Sequence, residues 1–203
     1  MKTDKILATR THKVIYQVGD KVWKVFDTNY PKTDVLNEAL NQARVEETGL
    51  PIPKVHGVTV TEDGNWAIIS DYIEGETLAE KMAKEPENVE KYMKEFVEIQ
   101  LEIHDKTAPL LNKMKDKMSG RINSLKAVNA TTRYELSTRL ESMPKHKKVL
   151  HGDFNPTNVV IGQDGKYYIL DWSHATQGNA SADAATTYLL LTLQDPKMAE
   201  MYM

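Results

Sequence analysis

The chain has 203 residues, 40% of them hydrophobic, and a formal net charge of −3. That is enough apolar surface for one globular unit or two small lobes, and too little positive charge to draw the chain to nucleic acid. The absence of cysteine excludes disulfides and thiolate metal sites and fits a reducing, cytoplasmic setting.

Residues 1–13 (MKTDKILATRTHK) are charged and lack the apolar run of a signal peptide. Residues 12–26 (HKVIYQVGDKVWKVF) predict a β-hairpin turning at Gly19-Asp20. Alternation over residues 21–26 places Val22, Lys24 and Phe26 on one face. By itself such a lysine reads as an edge-strand residue snorkelling to solvent. Residues 34–48 predict a helix with Asp34 as N-cap and a stripe of Leu36, Ala39, Leu40 and Ala43, stopped by Gly49 and Pro51. Glu38 flanks that stripe, either as a solvated glutamate or as a partner for Lys24.

Residues 52–60 and 66–72 predict two more strands around the turn 62–65, broken by Glu74-Gly75-Glu76. The boundary falls there, giving an N-terminal lobe over residues 1–75 and a C-terminal lobe over residues 76–203. Thr77 with Glu80 is a capping-box signature. Residues 86–105 predict a long helix burying Val89, Tyr92, Met93, Phe96 and Val97, with a packed His104 near its end. Residues 120–128 and 131–142 predict further helices, and residues 144–148 (PKHKK) a solvated basic loop. Residues 180–193 predict a helix ended by Asp195-Pro196, and a last short helix runs to Met203. The apolar part of that stretch, residues 184–193, is interrupted by threonines and too short to span a bilayer. No membrane is expected as a partner.

The densest chemistry lies in residues 151–171, HGDFNPTNVVIGQDGKYYILD. Asp153 and Asn158 sit five apart in a loop that Pro156 keeps irregular. Asp171 follows a predicted hairpin (strands 159–161 and 167–170) that returns the chain to the same place. An Asn carbonyl beside a carboxylate gives the hard oxygen ligation that Mg²⁺ accepts when phosphates complete its shell. Asp153, if not a ligand, is placed to take a proton from a hydroxyl nucleophile. D-x-x-x-x-N alone is an ordinary Asx-capped turn; followed by a hairpin and I-L-D-W, and preceded by His-Gly, it is far more specific.

Residues 151–158 (HGDFNPTN) and 169–172 (ILDW) resemble the catalytic segments of the aminoglycoside phosphotransferase/choline kinase superfamily, small-molecule kinases with a protein-kinase-like fold. Gly152 and Asp171-Trp172-Ser173 stand where protein kinases have Arg and D-F-G, which favours the small-molecule branch. The resemblance covers nearly the whole chain. It implies a two-lobed α+β fold, with an antiparallel N-terminal sheet carrying one helix and a mainly helical C-terminal lobe. ATP and Mg²⁺ would be the cofactors and a small-molecule hydroxyl the acceptor, in an aminoglycoside-like or choline-like compound. Lys24 would neutralise phosphate charge, held by Glu38, with Glu46 and Glu47 as alternatives. Ser70, Asp71, Tyr72 and Ile73 would form the hinge whose backbone meets adenine. Asn158 and Asp171 would hold the metal, Asp153 would act as base, His151 would buttress the loop and Asp183 would help hold it.

Two departures stand out. The turn expected to cover the phosphates, residues 8–13 (ATRTHK), has no glycine, which leaves Thr9, Arg10 and Thr11 as side-chain contacts. Family members also continue with several helices that build the acceptor site, so the C-terminal lobe is expected to lack them, as a compact form, as a form completed by an oligomer or a partner, or as a truncated sequence. A nucleotide-binding pseudokinase module and a minimal protein kinase are the competing expectations.

Overall fold

A computed structural model describes residues 5–203. The chain divides into two compact units, Met1–Val89 with Asn155–His174, and Glu90–Phe154 with Ala175–Met203.

The first unit is built on a five-stranded antiparallel sheet of β1 (Lys5–Thr9), β2 (Lys13–Val18), β3 (Lys21–Phe26), β4 (Val55–Val60) and β5 (Trp66–Asp71), in the order β1-β2-β3-β5-β4. Gly19, at φ 60°, opens the two-residue loop between Val18 and Lys21; glycine adopts that left-handed conformation without steric cost. The register opposes Lys13 to Phe26 and Ile15 to Lys24. Lys24 in turn opposes Ile68. Period-two alternation therefore puts Lys13, Ile15, Lys24, Phe26 and Ile68 on one face of the sheet.

Helix α1 (Lys32–Glu46) covers that face, with Val35 and Ala39 packed against Phe26 and Ile68. It starts two residues earlier than the sequence predicts. Pro31, with φ −61°, is the N-cap and no side chain caps the helix, because the fixed proline torsion turns the chain into the helix before Asp34 is reached. The buried stripe is also not the one predicted. Leu36 and Leu40 are 41% and 47% exposed, whereas Glu38, Asn41 and Gln42 are buried with Val35, Ala39 and Val45. Apolar periodicity located the helix and misjudged its face, since this helix spends half of its buried side on polar contacts. Gln42 Nε2, for example, donates to the Pro53 carbonyl at 2.6 Å.

The same unit holds a three-stranded sheet in the order β6-β8-β9, from β6 (Gly75–Thr77), β8 (Val159–Gly162) and β9 (Tyr167–Ile169). Of residues 74–76, expected only to break structure, Gly75 and Glu76 instead enter a strand against β8. A Cβ at Gly75 would lie 2.0 Å from the Ile161 carbonyl oxygen, so that ladder requires glycine. Thr77 closes the predicted capping box with Glu80 and starts α2 (Leu78–Lys84).

The second unit is mainly helical. It comprises α3 (Val89–Asp105, all but its first residue), α4 (Met114–Ser124), α5 (Ala130–Ser142), α6 (Ala180–Gln194) and α7 (Pro196–Tyr202), with β7 (Lys148–Leu150) antiparallel to β10 (Thr176–Gly178). Phe96 stacks on Phe154 with centroids 4.3 Å apart, both fully buried. Helix α4 runs through Gly120 rather than starting there. Met114, Met118 and Ile122 recur every four residues and pack with Leu140 and Leu150, and that stripe outweighs the roughly 1 kcal/mol that an interior glycine costs. Among the described residues no helix is long and apolar enough to cross a membrane.

Candidate active site

Four charged side chains meet in the first unit. Lys24 projects from the middle of β3 and Glu38 from the buried face of α1. Lys24 Nζ donates to Glu38 Oε1 at 2.8 Å and lies 3.6 Å from Asp171 Oδ1. Lys13 Nζ, one strand over, lies 3.3 Å from Asp171 Oδ2 and 3.5 Å from Glu38 Oε1. Two ammonium groups thus share two carboxylates. Burial pulls the Lys24 pKa down, but the charges of Asp171 and Glu38 outweigh it and hold the ammonium above its ordinary value. Lys24 is therefore a fixed positive charge at any physiological pH.

Asp171 is presented to the cluster by an uncommon backbone. Its φ is 59°, and among the described residues it is the one non-glycine with positive φ. Such a conformation costs on the order of 1–3 kcal/mol and persists only where surroundings enforce it. Two contacts do so on its C-terminal side. The fully buried Trp172 donates its indole N–H to the Ile169 carbonyl at 3.1 Å. Asn41 Nδ2, one helical turn after Glu38 on α1, donates to the Ser173 carbonyl at 3.3 Å.

Asn158 closes a single 3-10 turn, Pro156–Asn158, that is capped by the Asn155 side chain. Its carbonyl accepts the Leu170 N–H at 2.8 Å, and the next residue, Val159, pairs with Ile169. The hairpin therefore brings residue 158 to the end of the ladder from which Asp171 emerges. Among the described residues no group of three or more His, Cys, Asp or Glu could hold a metal. An Asn amide oxygen with one Asp carboxylate fits Mg²⁺, which takes few protein ligands and completes its shell with phosphate and water. Glu38 Oε2 and Asn41 Oδ1 are buried without a hydrogen-bond partner, so the cluster keeps acceptor capacity that its own donors do not use.

The hinge candidates lie at the end of β5. Ser70 is buried between β3 and β4, opposite Val22 and Val55. The Asp71 carboxylate accepts from Lys21 Nζ at 3.0 Å and the Lys54 N–H at 3.0 Å, and lies 2.6 Å from His56 Nε2. Partial burial raises its pKa, but these partners overcome that and bring it to about 2. The Asp71 and Tyr72 amides donate to the Lys54 and Asp20 carbonyls, both at 3.0 Å. Ile73 is the first of the four beyond these bonds.

A second cluster lies within the second unit. Asp183, in the first turn of α6, is 3% exposed and accepts from His104 Nε2 at 2.9 Å, the His151 N–H at 3.1 Å and the Gly152 N–H at 2.7 Å. Burial pushes the Asp183 pKa up, but the His104 hydrogen bond and the Gly152 N–H hold it below its ordinary value. The fully buried His151 accepts the Asp153 N–H on Nδ1 at 3.3 Å and packs edge-on to Phe154. The backbone of Asp153 is thus fixed two bonds away from a buried carboxylate, while its side chain is only half-buried.

Sequence reasoning selected Lys24, Glu38, Asn158, Asp171, His151, Asp153 and Asp183. It missed Lys13, Asn41 and the partnership of His104 with Asp183. The signal for Lys13 was the hairpin register, which sets it diagonally across from Lys24. Thr9, Arg10 and Thr11, expected to touch phosphate, are exposed, and Arg10 Nη1 lies against the Thr9 carbonyl at 3.4 Å.

The sequence pattern of the phosphotransferase enzyme family matches residues 8–203. No curated protein sequence matches the chain. Many solved structures resemble it. A thermostable mutant of aminoglycoside phosphotransferase APH(4)-Ia is 18% identical with a TM-score of 0.68, over 98% of this chain and 75% of that one. Wild-type aminoglycoside 2'-phosphotransferase-IIIa, in its GDP complex, is 16% identical with a TM-score of 0.62, over 100% and 77%. A choline/ethanolamine kinase family protein from Mesorhizobium loti is 16% identical with a TM-score of 0.60, over 98% and 67%. At these identities the likeness establishes the fold, which is protein-kinase-like. With the family pattern running over residues 8–203, the chain belongs to the phosphotransferase enzyme family and is a small-molecule kinase.

Proposed function

We propose that this protein moves the γ-phosphate of ATP, with Mg²⁺, to a hydroxyl of a small molecule of aminoglycoside-like or choline-like character. The observation that carries the reading is the cluster in which buried Glu38 holds Lys24 at 2.8 Å beside Asp171. ATP supplies the phosphoryl group and Mg²⁺ offsets charge on its oxygens, so the protein's task is mainly positioning and charge stabilisation. Lys24 meets the phosphates as a permanent cation, and Glu38 fixes its direction. Asn158 and Asp171 supply two oxygens to the metal. Ile73 and the backbone beyond it meet the base, because the amides of Asp71 and Tyr72 already close the sheet. Asp153 takes the acceptor hydroxyl's proton as that oxygen bonds to the γ-phosphorus and the bond to the β-phosphate oxygen breaks, with ADP leaving, a role worth about 10²–10⁴ in rate. His151 and Asp183 hold the Asp153 backbone and do not react.

Structures of this fold have been solved with AMP-PNP and hygromycin B and with GDP. These are properties of those proteins, and they support a purine nucleotide and a hydroxyl-rich acceptor here. The glycine-free turn at residues 8–13 favours a second reading, a nucleotide-binding module without transfer. A transfer screen decides between them, using γ-labelled ATP and GTP against aminoglycosides, choline-like amines, sugars and amino alcohols. The proposal expects Mg²⁺-dependent label in one acceptor class, reduced about 100-fold or more in Asp153→Asn. Background hydrolysis alone with every acceptor and both nucleotides would refute transfer and, if ATP still binds, favour the second reading.

A further inference from the structure

We propose that Lys13 is a second phosphate-binding cation, taking over charge stabilisation that a glycine-rich turn would supply through its backbone amides. The inference rests on the nucleotide site proposed above.

Three observations lead to it. First, Lys13 approaches the same two carboxylates as Lys24, at 3.3 Å from Asp171 Oδ2 and 3.5 Å from Glu38 Oε1. It does so from its own strand, because the β2–β3 register places both lysines on the face that α1 covers. Second, Lys13 is where the turn ends and β2 begins. The Arg10 N–H donates to its carbonyl at 2.8 Å. Every residue of that turn, ATRTHK, carries a Cβ, so the backbone cannot approach a phosphate as a glycine-rich loop does. A side-chain cation rooted at the same point supplies the missing positive potential. Third, the two lysines are not equivalent. The nearest partner of Lys24 is Glu38, buried and 2.8 Å away. The nearest partner of Lys13 is Asp171, the proposed metal ligand. Once Asp171 is committed to a cation, Lys13 keeps only its 3.5 Å approach to Glu38, whereas Lys24 keeps its 2.8 Å hydrogen bond to the same carboxylate. Lys13 is then the ammonium released to an incoming polyphosphate. Its side chain is only 17% exposed and its Nζ stands 5.8 Å over the Phe26 ring, which restricts it to the site.

The test is equilibrium binding of ATP with Mg²⁺, ADP with Mg²⁺, and adenosine to the parent, Lys13→Met, Lys13→Arg and Lys24→Met. Losing a charged hydrogen-bond partner of phosphate weakens binding about 10- to 100-fold. Lys13→Met should therefore raise the Kd for ATP by that factor, affect ADP less and leave adenosine unchanged, and Lys13→Arg should recover most of the loss. Should Lys13→Met not fold, Lys13→Gln carries the same comparison. If Lys24→Met weakens ATP binding and the neutral Lys13 variants bind it as the parent does, Lys13 is only a counter-ion and the inference is overturned alone. If the parent binds no ATP, or Lys24→Met binds it as the parent does, the nucleotide reading falls and the inference falls with it.

Discussion

Replacing Asp183 by alanine should rank with the most destabilising single changes in the second unit. Its carboxylate is 3% exposed and is the common acceptor of one imidazole and two backbone amides, at 2.7–3.1 Å. Hydrogen bonds to a charged acceptor contribute about 1.5–3 kcal/mol each, and three at one carboxylate are not additive. Removing the acceptor leaves three largely buried donors without a partner, at about 1–3 kcal/mol each and not strictly additive, a total of about 3–5 kcal/mol. We take that range, against a total stability on the order of 5–15 kcal/mol. Urea unfolding followed by circular dichroism should show the midpoint falling by about 2 M for a slope near 2 kcal/mol/M. Asp183→Asn, which keeps one acceptor oxygen and loses the charge, should fall between the parent and the alanine variant. Because the Gly152 and His151 amides set the backbone of the Asp153 loop, Asp183→Asn should also slow phosphoryl transfer while leaving the Kd for ATP unchanged. A loss below about 1 kcal/mol for Asp183→Ala would refute the assignment of Asp183 as the anchor of residues 151–153.

Acid should destabilise the protein for an identifiable reason. Asp183 and Asp71 have folded-state pKa values below the ordinary 3.8, that of Asp71 at about 2. Depressed carboxylates stabilise the fold above the unfolded value and lose that contribution as pH falls through the folded one. Unfolding midpoints measured from pH 5 down to pH 2 should therefore fall, and Asp183→Asn should show a shallower fall. Phe96→Ala empties one side of a fully buried ring stack and should cost about 3–5 kcal/mol by denaturant titration; a change under 1 kcal/mol would mean that the helices collapse onto the gap. Gly75→Ala forces a Cβ to within 2.0 Å of the Ile161 carbonyl oxygen, so the variant should lose the β6–β8 pairing, seen as faster amide exchange across residues 159–162.

The parts of the fold carried by local chemistry were legible in the sequence. The Thr77–Glu80 capping box formed, and the hairpin closed at Gly19-Asp20 with Lys24 and Phe26 on one face, as the alternation implied. What was not legible depended on partners far away in the chain. The apolar stripe of α1 suggested that Leu36 and Leu40 face inward, but contacts from β3 and from the turn after Asp171 recruit Glu38 and Asn41 to the buried side instead. Helix α4 ran through Gly120 because Met118 and Ile122 had Leu140 and Leu150 to pack on, a pairing no local window contains. Strand β10, only three residues long, exists because β7 offers it a ladder. In the site, Lys24 and Glu38 could be picked out through motif spacing and resemblance. Lys13 was marked only by the hairpin register, which sets it diagonally across from Lys24; otherwise a lysine beginning a strand looks like any solvated edge residue.

In the proposed function, Lys24, Asp171 and Asn158 together read a metal–triphosphate. Calorimetric titration of ATP with and without Mg²⁺ into the parent, Lys24→Met and Asp171→Asn tests it most directly. Mg²⁺ should tighten ATP binding to the parent, Asp171→Asn should abolish the Mg²⁺ effect, and Lys24→Met should weaken ATP under both conditions while adenosine binds all three alike. ATP binding that ignores Mg²⁺ and is the same in all three proteins would contradict it.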